Sequence, residues 1–151
     1  MQVDLVIFME AVMLDYKITS IEKKDENKIY KLLASEINDS KLIIRIRQHI
    51  RKGVAYKMIA DTEIKAVFMA MDFKQHYSLS YYFVKEDARK KMPSLFFFLH
   101  CINKIKDKPI YIKANKNLSD YERYFVPTTE KNIYKFKGLR EDARWAELLK
   151  L

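Results

Sequence analysis

The feature that most constrains this chain is a long stretch, residues 64–73, that is apolar on both alternate sets of positions. Side chains of a β-strand point alternately to the two faces of its sheet. One face of this strand would carry Val67, Met69, Met71 and Phe73, and the other Ala66, Phe68 and Ala70. A strand that is apolar on both faces must be covered on both faces, so the stretch predicts the central strand of a layered domain.

Two further strands are predicted directly before and after this stretch. In residues 54–60, Val54, Tyr56, Met58 and Ala60 are predicted to share one face, and residues 76–84 (HYSLSYYFV) form the other predicted strand. In the second of these, the predicted common face consists of Tyr77, Leu79, Tyr81 and Phe83. The connections, residues 61–63 and 74–75, are too short for a crossover, so the three strands predict an antiparallel meander.

Helical periodicity surrounds the meander on both sides in the sequence. A strand over residues 16–21 precedes two amphipathic helices, of which the second is predicted to be capped by Ser40 and to end at Gly53. A basic loop, residues 85–94, leads into a helix whose apolar stripe begins at Leu95. The remaining predicted elements are a strand at 110–114, a short helix reaching Phe125, a strand at 132–137 and a helix at 140–150. This order predicts an α/β (α+β) fold with a mixed, mostly antiparallel central sheet flanked by helices.

Length and composition fit a single domain over residues 1–151, with residues 1–14 and 139–151 as terminal extensions. An apolar share of 49% is enough for a core, and the lone cysteine, Cys101, excludes an intramolecular disulfide framework and a multi-cysteine zinc site. Cys101 lies beside the apolar stripe of a predicted helix, so we expect a buried, inert thiol. The three histidines form no local cluster, and no metal site is expected.

The net charge is +9, from 29 Lys and Arg against 20 Asp and Glu. Such a surplus of positive charge would attract nucleic acid, anionic lipid or a polyphosphate ligand, and it does not distinguish between these partners. The most apolar stretch, residues 95–102, is too short to cross a bilayer, and residues 1–14 lack a basic leader. We therefore expect a cytoplasmic protein without a membrane partner.

The order of elements over residues 16–137 resembles that of the GNAT superfamily of N-acetyltransferases. The sheet of that family splits like a V after its fourth strand, and acyl-CoA binds in the split. A pyrophosphate loop with the pattern Q/R-x-x-G-x-G/A follows the strand. Here Arg89 stands at the first position of the pattern, Met92 replaces the glycine and Ser94 replaces the final small residue.

The resemblance implies that acetyl-CoA is the co-substrate. The residues implied to bind it are Phe83, Val84, Arg89, Lys90, Lys91, Ser94 and Asn117. In this loop, amides at a helix N-terminus bind phosphate oxygens. Met92 adds a side chain where glycine would allow close approach, and Pro93 removes one N–H donor. The charges of Arg89 and its two lysine neighbours offer a different way to hold phosphate.

The resemblance also implies catalytic residues. Family members often carry an Asn after the fifth strand and a Tyr seven residues later that protonates the leaving CoA thiolate, and Asn117 and Tyr124 match this spacing. A phenol suits the task because its pKa lies within about two units of that of a thiol. Tyr121 is a rival for this role. For the base that deprotonates the amine, Asp72 is the first candidate and His76 the second.

Three functions therefore compete. The first is an acyl-CoA-dependent N-acyltransferase that acts on an amine of a small molecule or protein. The second is a catalytically inactive GNAT-fold structural or interaction module of a phage or mobile element, forming a homo-oligomer through its terminal segments. The third, less favoured, is a nucleic-acid-binding protein that uses the basic helix at residues 41–52.

Overall fold

In the computed structural model, which describes residues 15–89, 92–113 and 125–137, the two-sided apolar stretch forms the third strand of a seven-stranded sheet. The strands are β1 (Lys17–Ser20), β2 (Gly53–Ala60), β3 (Glu63–Asp72), β4 (Tyr77–Val84), β5 (Ile110–Lys113), β6 (Phe125–Pro127) and β7 (Ile133–Phe136). The helices are α1 (Glu26–Ala34), α2 (Leu42–Lys52) and α3 (Met92–Lys104), with 3₁₀ turns at Lys23–Asp25 and Glu86–Ala88.

The strands lie in the order β1-β2-β3-β4-β5-β7-β6. Every neighbouring pair is antiparallel except β4 and β5, which are parallel. Parallel neighbours need a crossover connection, and α3 supplies it. The predicted meander and the mixed, mostly antiparallel sheet with flanking helices are thus confirmed.

Strand β3 is the centre of the packing. Its residues Ala66, Val67, Phe68, Met69 and Ala70 are all 0% exposed. Ala66, Phe68 and Ala70 belong to the core under α3, whereas Val67 and Met69 belong to the core under α1 and α2. The prediction of a central strand covered on both faces is confirmed for residues 66–70, because the two sets of side chains enter two separate cores. For Phe73 it was wrong, since this residue lies beyond the end of β3 and is 46% exposed.

Helix α3 covers one face of the sheet on both sides of the β4–β5 pair. The Phe98 ring lies 6.4 Å from that of Phe68 on β3 and 6.5 Å from that of Phe125 on β6. Cys101 is fully buried here, as predicted, and burial raises the pKa of its thiol well above the ordinary value. Among the helices of the described residues, none has the length and apolar character that a membrane crossing requires.

Three predicted boundaries were wrong. The predicted loop at residues 85–94 ends too late, because helix α3 begins at Met92; Pro93 lies in its first turn, as its fixed backbone angle predicts. The N-cap of α2 is Lys41 rather than Ser40, and the Asp39 carboxylate accepts the Lys41 amide at 2.9 Å. Phe125 lies in a strand instead of ending a helix, because its ring packs against Phe98 and Phe136.

The predictions that fall on residues 1–14, 114–124 and 138–151 lie outside the described residues. They include the terminal extensions, the start of the short helix before Phe125 and the C-terminal helix. The assignment of one domain to the whole chain also stays a prediction.

A β-bulge in β4 changes which side chains share a face. Met69 pairs with Tyr81 and Ala70 pairs with Leu79, so Ser80 is an extra residue without an opposite on β3. Beyond the bulge, Tyr82 and Val84 continue the face of Leu79 toward α3, whereas Tyr81 packs with the α1–α2 core. The predicted common face of Tyr77, Leu79, Tyr81 and Phe83 was therefore wrong, since one extra residue reverses the alternation.

A buried ion pair joins the first helical turn to the sheet. Lys57 Nζ on β2 lies 2.5 Å from Asp25 Oδ2, and both side chains are only 8% exposed. The same Asp25 oxygen accepts the Glu22 amide at 2.9 Å. Burial alone would raise the pKa of Asp25, but the hydrogen bonds and charge of Lys57 and the Glu22 amide lower it below 3.8.

We expect Lys57→Met to lower the free energy of unfolding by about 3–5 kcal/mol, because it leaves the Asp25 carboxylate buried without its cation. Asp25→Asn combined with Lys57→Met should cost less than the sum of the single changes. Because the pKa of Asp25 is lowered in the folded state, the wild-type contribution is present above pH 3.8 and disappears as the pH falls through the lowered value.

Urea denaturation at several pH values measures these effects. The matched control is Arg47→Ala, which removes an exposed ion pair to Glu26 and should cost less than about 1 kcal/mol. A Lys57→Met protein as stable as the control would contradict the importance of the buried pair.

Candidate active site

Strands β4 and β5 separate part of the way along their length. They pair only at Tyr77–Ile110, Ser78–Tyr111 and Leu79–Ile112. The next residue of β5, Lys113, still pairs with Ile133 on β7, while β4 continues from Ser80 to Val84 paired with β3 but not with β5. Within the described residues, an opening between the two halves of the sheet therefore begins at Ser80.

The backbone of β4 turns one set of peptide groups toward this opening. The Lys85 amide donates to the Lys65 carbonyl at 2.8 Å, so the peptide groups of residue 85 face β3. Alternate residues of an antiparallel strand face opposite neighbours. Of the two β4 residues that the resemblance implies to bind acetyl-CoA, Phe83 accordingly turns its peptide groups toward β3 and Val84 turns them toward the opening.

Arg89 lies at the open end of β4 and is held by three groups. Its Nε donates to the Val84 carbonyl at 2.7 Å, its guanidinium lies 5.5 Å from the centroid of the Phe83 ring, and Nη2 lies 3.7 Å from a Glu36 carboxylate oxygen. The side chain remains 47% exposed. The predicted first residue of the phosphate loop is thus near the opening, folded back against the strand that precedes it.

The first turn of α3 is fastened over β4 by Tyr82. The Tyr82 hydroxyl donates to the Ser94 carbonyl at 3.1 Å, and its ring stacks on Phe97 at 6.3 Å. Ser94, a predicted phosphate contact, is only 3% exposed. The helix N-terminus and the open end of β4 therefore form one structural unit. Amides at a helix N-terminus generally favour anions.

Several predicted site residues fall outside the described residues. They are Lys90, Lys91, Asn117, Tyr121 and Tyr124, together with the side chain of Met92. Their roles stay predictions.

The two predicted base candidates, Asp72 and His76, lie at the closed end of the sheet. Asp72 is opposite Tyr77, and about 3.3 Å per residue along β4 places it roughly 23 Å from the Val84 end. Its carboxylate forms an ion pair with Lys108, whose pKa it raises through a hydrogen bond. The His76 ring stacks on Phe73 at 5.0 Å. The structure does not bring either residue together with Arg89 or Val84.

A hydrogen-bonded pair at the start of the opening, His49 and Ser80, was not predicted. His49 on α2 is 4% exposed; its Nδ1 lies 2.6 Å from the Arg45 carbonyl and its Nε2 lies 2.7 Å from Ser80 Oγ. A signal was present, because His49 follows the buried Leu42 and Ile46 at helical spacing. Its basic neighbours made the whole segment resemble a solvated face.

Comparison with solved structures identifies the fold as that of GNAT acetyltransferases. A GNAT-family acetyltransferase from Staphylococcus aureus is 13% identical, matches 80% of this chain and 98% of its own, and gives a TM-score of 0.64. A GNAT-family acetyltransferase from Brucella melitensis in complex with acetyl-CoA is 10% identical over 82% of this chain and 89% of its own, with a TM-score of 0.63.

A third similar structure is the PaiA N-acetyltransferase from Thermoplasma acidophilum in complex with coenzyme A. It is 13% identical, covers 82% of this chain and 99% of its own, and gives a TM-score of 0.60. No protein-family model matches the sequence, and no curated protein matches it. The fold is therefore shared, while activity has to be argued from the site.

We expect Tyr82→Phe to lower the free energy of unfolding by about 0.5–1.5 kcal/mol, because it removes one hydrogen bond to the Ser94 carbonyl. Amide hydrogen exchange should quicken in the first turn of α3. Tyr30→Phe, at a position that is 40% exposed on α1, is the control. Unchanged exchange in Tyr82→Phe would show that the hydroxyl does not fasten the helix.

Proposed function

We propose that this protein is an acyl-CoA-dependent N-acyltransferase that transfers an acetyl group from acetyl-CoA to an amine. The observation that carries the proposal is the opening between β4 and β5, which ends at the N-terminus of α3. The likeness to GNAT structures that contain CoA or acetyl-CoA supports it. A cytoplasmic location is consistent with it, since the single Cys101 gives the chain no intramolecular disulfide.

In this proposal, the thioester enters the opening beside β4. The Val84 amide, which faces the opening, would donate to the thioester carbonyl and stabilise the oxyanion that develops there. The pyrophosphate would lie at the first turn of α3, where amides and the helix dipole favour anions. Arg89, Lys90, Lys91, Ser94 and Asn117 are the residues proposed to surround the cofactor, with Phe83 packing beneath Arg89.

The reaction would proceed by direct attack. The neutral amine attacks the carbonyl carbon, a C–N bond forms and the C–S bond breaks. Tyr124 would give its proton to the departing thiolate. Asp72, the sequence candidate for the base, is engaged by Lys108 at the closed end of the sheet, an arrangement that favours a structural role for this carboxylate.

We expect acetyl-CoA to bind with a micromolar dissociation constant in isothermal titration calorimetry. Arg89→Ala should weaken binding about tenfold, or about 1.4 kcal/mol, because it removes a cation that can pair with phosphate oxygens. The matched control is Arg51→Ala, which removes the same charge from an exposed position on α2. Absence of heat and of a thermal shift at millimolar acetyl-CoA would overturn the proposal.

We expect Tyr124→Phe to lower kcat about 10²-fold or more, because the thiolate would lose its proton donor. Acetyl-CoA affinity should stay unchanged, as measured by calorimetry. Tyr121→Phe, the change at the rival position, serves as the control and should retain activity. The reverse outcome would assign the proton to Tyr121.

A second candidate function is a non-catalytic module with the same fold. The observation that favours it is the engagement of Arg89 by Val84, Phe83 and Glu36, which gives this side chain a structural role without any ligand. Light scattering tests this function. A stable oligomer that becomes monomeric when residues 1–14 or 139–151 are removed, together with failure to bind acetyl-CoA, would support it.

A further inference from the structure

We propose that Ser80 and His49 form a proton relay that acts as the general base of the acetyl transfer, with Ser80 receiving a proton from the incoming ammonium group and passing its own to His49. This inference rests on the proposed function and names the group that the sequence analysis sought in Asp72 and His76.

Ser80 lies at the point where β4 and β5 separate. Leu79 is the last residue of β4 that pairs with β5, so Ser80 stands where the opening begins. It is also the bulged residue, and bulges commonly re-aim a side chain beside a functional site. Ser80 is exposed as a whole residue, so the start of the opening is accessible to a ligand.

The hydrogen bonds of His49 fix the direction of proton transfer. The Arg45 carbonyl can only accept, so Nδ1 of His49 carries the hydrogen of their 2.6 Å contact. In the neutral ring, Nε2 is then the acceptor. Ser80 Oγ lies 2.7 Å from Nε2 and 3.4 Å from the Ser78 carbonyl, so its single hydrogen goes to the nearer imidazole nitrogen. A hydroxyl that donates to a buried imidazole is left with lone pairs that can accept an ammonium proton.

The surroundings keep the imidazole neutral at neutral pH. Burial lowers the pKa of His49 below 6.5, and the positive charge of Arg45 acts in the same direction against the raising effect of the Arg45 carbonyl hydrogen bond. The Tyr81 ring lies 5.4 Å from the His49 ring, and Arg45 pairs with Asp39 at 2.8 Å.

The other described strands under α2 add little charge to this environment. On the same face, β2 and β3 contribute the apolar Ala55, Val67 and Met69 to the core. Lys57 is the charged residue of β2 on this face, and it is paired with Asp25. The protonation state of His49 is therefore governed by burial, by Arg45 and by its two hydrogen bonds.

An N–H proton of the ammonium group moves to Ser80 Oγ as the hydroxyl proton of Ser80 moves to His49 Nε2. The resulting neutral amine attacks the thioester, and Ser80 forms no covalent bond. The imidazolium keeps its Nδ1–H bond to the Arg45 carbonyl and returns its proton to solvent after the transfer.

Steady-state kinetics with acetyl-CoA test the relay, with thiol release followed for butylamine, lysine and a peptide with a free N-terminus. We expect Ser80→Ala and His49→Gln to lower kcat about 10²-fold or more with acetyl-CoA affinity unchanged. Ser80→Thr, which keeps the hydroxyl, should retain most of the activity. The acid limb of the wild-type pH profile, at a pKa below 6.5, should persist in Ser80→Thr and vanish in His49→Gln.

The controls separate this inference from the proposed function. Ser35→Ala, which removes an exposed hydroxyl just after α1, should leave kcat unchanged, and NMR of the imidazole nitrogens should show His49 as the Nδ1–H tautomer. A wild type that transfers acetyl groups while His49→Gln matches it, or while Ser80 becomes acetylated, would overturn the relay alone. A wild type that neither binds acetyl-CoA nor acetylates any of the amines would overturn the proposed function and the relay with it.

Discussion

The two-sided burial of β3 is the constraint from which the rest of the structure follows. Because Phe68 and Val67 enter opposite cores, helices must lie on both faces of the sheet. The pair α1 and α2 covers one face and α3 the other, and each helix is placed by apolar contacts with this strand and its neighbours. The burial of apolar area that these contacts provide is the main stabilising term available to a chain without disulfides.

The β-bulge at Ser80 places a polar side chain at the proposed active site of this layered fold. It lies one residue beyond the last rung between β4 and β5, and it directs a hydroxyl toward α2 while the strand continues along the opening. Arg89 and Tyr82 then fasten the far end of the same strand to the loop and to α3. The chemistry proposed for the protein therefore depends on a single strand that leaves its neighbour.

The sequence predicted the fold well because its strongest signals are local. The pattern of apolar residues in β3 and the apolar stripe of α3 each lie within one element. The connections between β2, β3 and β4 are too short for a crossover, so they allow only an antiparallel arrangement of these strands. The bulge could not be predicted, since Tyr77, Leu79, Tyr81 and Phe83 fit a regular strand equally well. His49 was hidden because its partner, Ser80, is 31 positions away in the chain. The contacts of Arg89 with Phe83 and Glu36 likewise depend on the tertiary structure, so the sequence motif of the loop could not predict them.

The parallel junction between β4 and β5 also has a consequence for how the chain acquires its structure. The hairpins of β2, β3 and β4 join neighbours through tight turns, so they can form with little loss of chain entropy. The rung between Tyr77 and Ile110, by contrast, closes a loop that contains all of α3. We expect the β2–β3–β4 meander to form first during folding and strands β5, β7 and β6 to pack against it later. Phe98 contacts both parts, through Phe68 on β3 and Phe125 on β6, so its packing would be completed in the later step. The opening between β4 and β5, which is proposed for catalysis, would then be among the last parts of the structure to form.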